Sequence, residues 1–208
     1  VAAASGARET AVKIAAPHIP DAGKVRLLPF PMTKVKAEKE RCWLAHARTI
    51  LAEMGEGHDV AFLTLGDSLT YATYGYVLKN VLALAPGAPV VTVPGITAYQ
   101  AAAARVNRPL VEGEESLLVL SGVEGGHRLR ELSDAVDNVV FMKAYRNVNG
   151  ICAALEDADM LTHSAGVVRC SLPEQEIVDD VKTLESRSPN YWTLIIARKT
   201  DPYAPQED

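Results

Sequence analysis

Apolar residues recur in two rhythms along this chain, and the alternation between them predicts the order of its elements. Residues 5–16 place Ala7, Ala11, Ile14 and Ala15 at helical spacing behind Ser5, a residue type that caps helix N-termini, and Pro17 and Pro20 end the segment. Residues 25–28 are a short apolar run, read as a strand. Thr33 then opens a long helix with Trp43, Leu44, Ala47, Ile50, Leu51 and Met54 at helical spacing, which stops at Gly55. A second apolar run, residues 60–65, ends abruptly in Gly66-Asp67 and precedes a helix with Tyr74, Val77, Leu78, Val81 and Leu82 on one side. Pro86-Gly87 turns the chain into a strand at 90–93, Pro94-Gly95 breaks it, and Thr97 caps an alanine-rich helix over 98–106. To this point strands and helices alternate, as in a parallel sheet with crossover helices.

Past Pro109 the pattern changes. A strand at 116–120 leads to Gly125-Gly126 and a helix carrying Leu129, Leu132 and Val136. Strand 139–142, a short helix at 148–155, two strands within 161–170 around Ala165-Gly166, a helix at 174–184 and a strand at 192–197 follow. Short strands between tight turns predict a mixed sheet with antiparallel pairs. The expected organisation is α/β: an N-terminal αβα domain over 1–112 with a mainly parallel sheet, a C-terminal αβα domain over 113–200 with a mixed sheet, and a polar, disordered tail over 201–208. The opening Val1-Ala2-Ala3-Ala4 reads as the tail of a strand, and the chain as lacking an N-terminal piece.

Composition adds limits. The 208 residues are 48% apolar and carry mixed charges with a formal net charge of −5, which argues against general nucleic-acid binding and leaves small anionic ligands open. No apolar run has the length of a membrane span. Three dispersed cysteines, Cys42, Cys152 and Cys170, form no CxxC pair, so a reduced cytoplasmic setting is expected.

There is no P-loop, GxGxxG turn, HExxH or GxSxG motif. The five histidines show no metal-ligand spacing and are read as surface or core residues; no metal is expected. Cys42, within the first long helix, is read as a structural thiol. What remains is the pair of strand ends, Gly66-Asp67 and Pro94-Gly95, with Thr70, Thr73, Thr97 and Ala98 beside them. Strand carboxyl ends are where α/β proteins collect ligands.

At these turns the sequence resembles a known family. Gly66-Asp67-Ser68-Leu69-Thr70-Tyr71 is similar to the G-D-P-x-x-Y motif of the tetrapyrrole methyltransferases, and Val93-Pro94-Gly95-Ile96-Thr97-Ala98 to their second motif. Residues 169–175 and 191–196 resemble the family's C-terminal signature. Phe30-Pro31-Met32-Thr33, residues 60–76 and Ala101-Ala102-Ala103-Ala104-Arg105 resemble most the enzymes that methylate C-20 of precorrin-2 or cobalt-factor II.

The resemblance implies a homodimer that binds S-adenosylmethionine in a cleft between two αβα domains and releases S-adenosylhomocysteine. By position, Leu65, Gly66, Asp67, Thr70, Thr97, Ala98, Met142, Cys170 and Ser171 would contact the methyl donor. Asp67 or Tyr71 would serve as any base, with Asp67 favoured as a donor anchor. Lys34, Lys36, Arg105 and Lys143 would hold substrate carboxylates, although each also suits a solvated surface. Two departures stand out. Ser68 replaces the motif's proline, which should loosen the turn. The family's first glycine-rich loop would precede Val1. A methyltransferase for another tetrapyrrole carbon, a diphthine-synthase-like enzyme acting on protein, and a non-catalytic protein that binds donor or tetrapyrrole are the competing expectations.

Overall fold

The computed structural model describes residues 2–5, 10–31 and 33–200. Met32 and the expected tail from Asp201 lie outside them. The chain divides into two compact units, Val1–Thr97 and Ala98–Asp208.

The first unit is built on a parallel sheet in the order β2 (Arg26–Pro29), β1 (Ala2–Ser5), β3 (Phe62–Leu63), with Ala2 opposite both Arg26 and Phe62. Helices α1 (Thr10–Ala15), α2 (Lys36–Gly55) and α3 (Tyr74–Leu84) connect and cover it. The apolar spacing that predicts α2 and α3 also supplies the core. Ala47 and Ile50 of α2 meet Leu28 of β2 and Val77 and Val81 of α3, with Phe30, Met54 and Phe62 packed against them.

Several boundaries differ from the sequence pattern, each for a local reason. Ser5 belongs to β1, and α1 is described over Thr10–Ala15. Thr33 accepts a hydrogen bond from Val35 N–H at 3.1 Å, a local turn that delays α2 to Lys36. The run at 60–65 is a strand only at Phe62–Leu63, and 90–93 forms no strand. Both runs have the composition of strands, but a strand also needs a ladder partner.

The second unit carries a mixed sheet in the order β4 (Leu117–Ser121), β5 (Asn138–Met142), β8 (Thr193–Arg198), β6 (Ser164–Val168), β7 (Glu176–Val178). Only β4 and β5 are parallel; the other neighbours are antiparallel. Helices α5 (His127–Leu132) and α6 (Val148–Asp157) pack on one core with Phe141, Ile151, Leu155, Met160 and Ile195, all fully buried.

Helix α4 (Ala98–Val106) belongs to this unit, because Ala102 and Ala103 pack on Val167, Leu194 and Ile196. The division therefore falls before α4 and not near residue 112. Residues 161–170 hold one strand, β6, rather than two. The helix expected at 174–184 is β7 followed by a 3-10 segment, Val181–Ser186. Gly166 explains this choice: a Cβ there would stand 3.1 Å from Leu184 Cδ1 and 3.3 Å from Val178 Cβ. The glycine lets β7 and its apolar follow-on close over β6.

Buried Arg198, at the end of β8, pairs with Glu115 at 3.0 Å, and Asn138 donates to the same carboxylate. That Asn138 bond leads the causes holding the Glu115 carboxyl below its ordinary range. Among the described residues no helix is long and apolar enough to cross a membrane.

Among the described residues Phe141 is the largest fully buried side chain, so Phe141→Ala should cost about 3–5 kcal/mol of second-unit stability. Urea denaturation followed by Trp192 fluorescence should show the midpoint fall; an unchanged midpoint would contradict this packing.

Candidate functional site

In the first unit the two glycine-containing turns touch. Gly66 leaves β3 with φ +71°, and its carbonyl faces Gly95 so closely that a Cβ on Gly95 would lie 2.4 Å from Gly66 O and 3.0 Å from Gly66 C. Only glycine fits at Gly95, because the obstruction is backbone and cannot swing aside. This reason for the second motif's glycine is steric.

Asp67 fastens the contact. Its Oδ2 accepts the backbone N–H groups of Leu69 at 2.9 Å and Thr70 at 2.8 Å, and its Oδ1 accepts that of Gly95 at 3.3 Å. One carboxylate thus closes its own turn and clips it to the other. These bonds, from Leu69 N–H first and then from the Thr70 hydroxyl and Gly95 N–H, hold the Asp67 carboxyl below its ordinary range. A carboxylate so stabilised is a weak base.

Ser68 is buried and donates its hydroxyl to Val93 O at 3.2 Å. The loosening expected from replacing proline is offset by this second tie between the turns. Below it, the Tyr74 hydroxyl, on the first turn of α3, meets Thr92 Oγ1 at 2.6 Å. The sequence signal for these ties is slight: Thr92 is a polar residue inside the apolar run 90–93, and Ser68 stands where the motif has proline.

The same turns expose apolar surface. Leu65 is 46% and Ile96 70% exposed, Tyr71 is exposed with φ 52°, and Thr97 is buried one residue before α4. Leu65, Gly66, Asp67, Thr70 and Thr97 therefore gather around one turn pair. An open backbone turn flanked by exposed apolar side chains suits a ligand with an amino-acid head and an apolar body.

The lysines are placed differently. Lys34 is exposed on the segment leaving β2, which exits the same edge of the parallel sheet as the Gly66-Asp67 turn. Lys36 is exposed and pairs with Glu40 at 3.8 Å, the solvated-helix arrangement.

In the second unit, strands β5 and β6 flank β8 and end at one edge of the sheet. Ala144 N–H donates to Thr193 O at 2.9 Å, and Arg169 N–H donates to Trp192 O at 3.0 Å. Met142 and Lys143 thus leave one side of Trp192-Thr193, and Cys170 and Ser171 the other. Lys143 Nζ lies 5.8 Å from the centre of the Tyr191 ring, and the Arg169 guanidinium 5.6 Å from that of Trp192. Lys143, Arg169 and Ser171 all take positive φ, so three non-glycine residues are bent sharply at this edge. Gln175 Oε1 accepts Ser171 N–H at 2.7 Å and fixes one of them. Ala98 opens α4, and Arg105 is exposed near its end.

Contrary to the spacing along the sequence, one histidine does meet carboxylates. The ligand atoms of Glu53, Glu56 and His58 lie within 4.8 Å of one another at the end of α2. Glu53 is already paired with Arg26 at 2.7 Å and His58 at 3.1 Å, so the group reads as a surface ion network.

Comparison with known proteins agrees with the turn motifs. The family model described as Tetrapyrrole (Corrin/Porphyrin) Methylases matches residues 1–185, and the chain belongs to this family. It is 29% identical over 202 residues to a Salmonella typhimurium protein named cobalt-precorrin-2 C(20)-methyltransferase, covering 96% of this chain and 83% of that one. It is 34% identical over 158 residues to a Methanocaldococcus jannaschii protein named "Probable cobalt-precorrin-2 C(20)-methyltransferase", covering 76% of this chain and 64%, just under two thirds, of the relative. Among solved structures, a Thermus thermophilus uroporphyrin-III C-methyltransferase complexed with S-adenosylhomocysteine superposes with a TM-score of 0.58 at 24% identity, covering 86% of this chain and 78% of the other. That likeness establishes the fold.

The Asp67 clip has a pH signature. A depressed folded pKa contributes stability that is full above the unfolded value of about 3.9 and is lost as pH falls through the lower folded value. In an acid titration followed by NMR, the Leu69 and Thr70 amide signals should move with a midpoint below about 3.9, and Asp67→Asn should abolish that step. A midpoint at or above the unfolded value would mean that the clip is absent.

Proposed function

We propose that this member of the tetrapyrrole methylase family is an S-adenosylmethionine-dependent C-methyltransferase acting on C-20 of precorrin-2 or cobalt-factor II in cobalamin biosynthesis. The observation that carries the reading is the similarity to the Salmonella protein over 96% of this chain and 83% of that one. The clipped turn pair supports it by supplying a preorganised ligand edge where the family's two motifs fall.

The sulfonium donor brings an already activated methyl, so what is asked of the chain is position and exclusion of water. In the first unit, Leu65 and Gly66 offer backbone and apolar contact to the donor's amino-acid end, with Thr70 and Thr97 continuing that wall. Asp67 keeps the two turns in contact, and its low basicity assigns it to positioning rather than proton transfer. Tyr71 is the candidate for any proton transfer at the macrocycle. In the second unit, Ala98, Met142, Cys170 and Ser171 are assigned to the donor. Lys34, Lys36, Arg105 and Lys143 are assigned to the acetate and propionate groups, a guanidinium being able to grip a carboxylate with two bonds.

We further infer a homodimer, on the family resemblance, and a cytoplasmic setting, on three cysteines that form no disulfide.

Incubation with donor and either tetrapyrrole should add one methyl group by mass, at C-20 by NMR. A product methylated at another ring carbon would move the protein elsewhere in the family, and donor binding without turnover would make it a binding protein. Gly95→Ala drives a methyl against Gly66 O, so it should weaken donor binding on the order of tenfold or more by calorimetry, while circular dichroism stays unchanged. Undiminished donor binding would remove the turn pair from the site.

A further inference from the structure

Two cations and two tyrosines meet where the chain leaves β5 in the second unit. Lys143 takes φ 57°, and Tyr145 N–H closes a tight turn on Lys143 O at 3.0 Å. Ala144, inside that turn, is fully buried and donates its N–H to Thr193 O at 2.9 Å. Further on, Asn147 Nδ2 donates to Val123 O at 3.1 Å. The segment is tied down on either side of Arg146, which is itself exposed.

The Tyr145 and Tyr191 rings pack edge to face, with centres 5.4 Å apart and planes at 67°. Each ring carries a cation. Arg146 Cζ lies 5.1 Å from the centre of Tyr145, and Lys143 Nζ 5.8 Å from that of Tyr191. Two positive groups are thus gathered at one aromatic pair, on a chain whose formal net charge is −5. Nearby arginines are committed elsewhere. Arg169 pairs with Glu174 at 3.1 Å and donates Nε–H to Pro173 O at 3.0 Å, and Arg187 pairs with Glu176 at 2.5 Å. Arg146 has no carboxylate partner among the described residues; its contact is the Tyr145 ring. A cation–π contact engages the face of a guanidinium and leaves its N–H edge available, so Arg146 keeps the fork that grips a carboxylate with two bonds.

We propose that Arg146 is a substrate-binding, specificity-determining residue, which grips one peripheral carboxylate of the tetrapyrrole beside the one assigned to Lys143. This rests on the tetrapyrrole methyltransferase reading and adds a residue to it. The tyrosine pair offers apolar contact to a macrocycle, and the two cations match the acetates and propionates at its rim. The Tyr145 ring also restrains the Arg146 side chain before the ligand arrives, so less side-chain freedom is lost on binding. Lysine at this position would keep the charge but not the two-bond geometry.

The test compares Arg146→Ala and Arg146→Lys with the unaltered protein, and with Arg128→Ala as a control for the loss of one surface charge. Arg128 lies on α5, paired with Glu131. Two quantities are read: the Kd of precorrin-2 or cobalt-factor II, from tryptophan quenching without donor, and the steady-state constants of methyl transfer. Arg146→Ala should raise the tetrapyrrole Kd and KM on the order of tenfold, with kcat and the donor KM unchanged. Arg146→Lys should recover part of that loss, and Arg128→Ala should show none. An unchanged tetrapyrrole Kd and KM in Arg146→Ala would overturn the proposal, and methylation at C-20 by the same preparation would leave the functional reading standing. A fall in kcat or donor affinity at unchanged tetrapyrrole Kd would reduce Arg146 to a structural role and overturn it. So would an equal loss in Arg128→Ala. No saturable tetrapyrrole binding by the unaltered protein would overturn it whatever the methylation assay gives. Methylation at another ring carbon, or none, with tetrapyrrole binding still weakened by Arg146→Ala would overturn the C-20 reading and support the role of Arg146.

Discussion

One carboxylate holds the two glycine-containing turns of the first unit together. Asp67 accepts three backbone N–H groups, two from its own turn and one from Gly95, twenty-eight residues further along the chain. Much else at this edge depends on that bond. Gly66 adopts positive φ so that its carbonyl faces the second turn, and Gly95 lacks a side chain so that the approach is possible. Ser68 then adds a hydroxyl bond to Val93 where a proline would have stiffened the turn without linking it to anything. The same ties that position the edge lower the basicity of the carboxylate. A residue whose type suggests acid–base chemistry is thereby committed to architecture.

The long helices were legible because their cores are local in sequence. Ala47, Ile50, Val77 and Val81 repeat at helical spacing and are the residues found buried. The strand pattern at 139–142 was legible for the opposite reason: β5 is buried on both faces, and a continuous apolar run survives in the sequence. The runs at 60–65 and 90–93 look the same and yet pair over two residues or none. Pairing is a property of two segments, and one segment's composition cannot record it. The helix misread at 174–184 failed through a distant glycine. Gly166 opens room for Val178 and Leu184 to lie against β6, and no periodicity within 174–184 carries that information.

For the candidate site, the residue types at the Gly66-Asp67 turn were legible as a tight turn after an apolar run, but their division of labour was not. The contact between Gly66 and Gly95 is between backbones, and sequence shows only that both are glycine. The second-unit edge was harder still. Lys143 and Arg169 are brought beside Tyr191 and Trp192 by antiparallel pairing across β8, which joins segments more than twenty residues apart. Their positive φ values are imposed by the need to turn at the sheet edge, and nothing in the residue types themselves favours that conformation.

On the proposed reading, this economy of chemistry is what methyl transfer from a sulfonium requires. The leaving group departs neutral and the electrophile is activated before it binds, so a strong general base or a metal adds little. Misplacement by about 1 Å, in contrast, is costly to a displacement that needs aligned reacting atoms. An edge built from backbone carbonyls, two glycines and a carboxylate saturated with N–H bonds has few rotatable parts. Most of its constraints are main-chain contacts or bonds to main chain, so its geometry is set largely by the fold itself. Rigid placement of this kind is the contribution the first unit is built to make, and it explains why the conspicuous acid of the motif is not free to act as one.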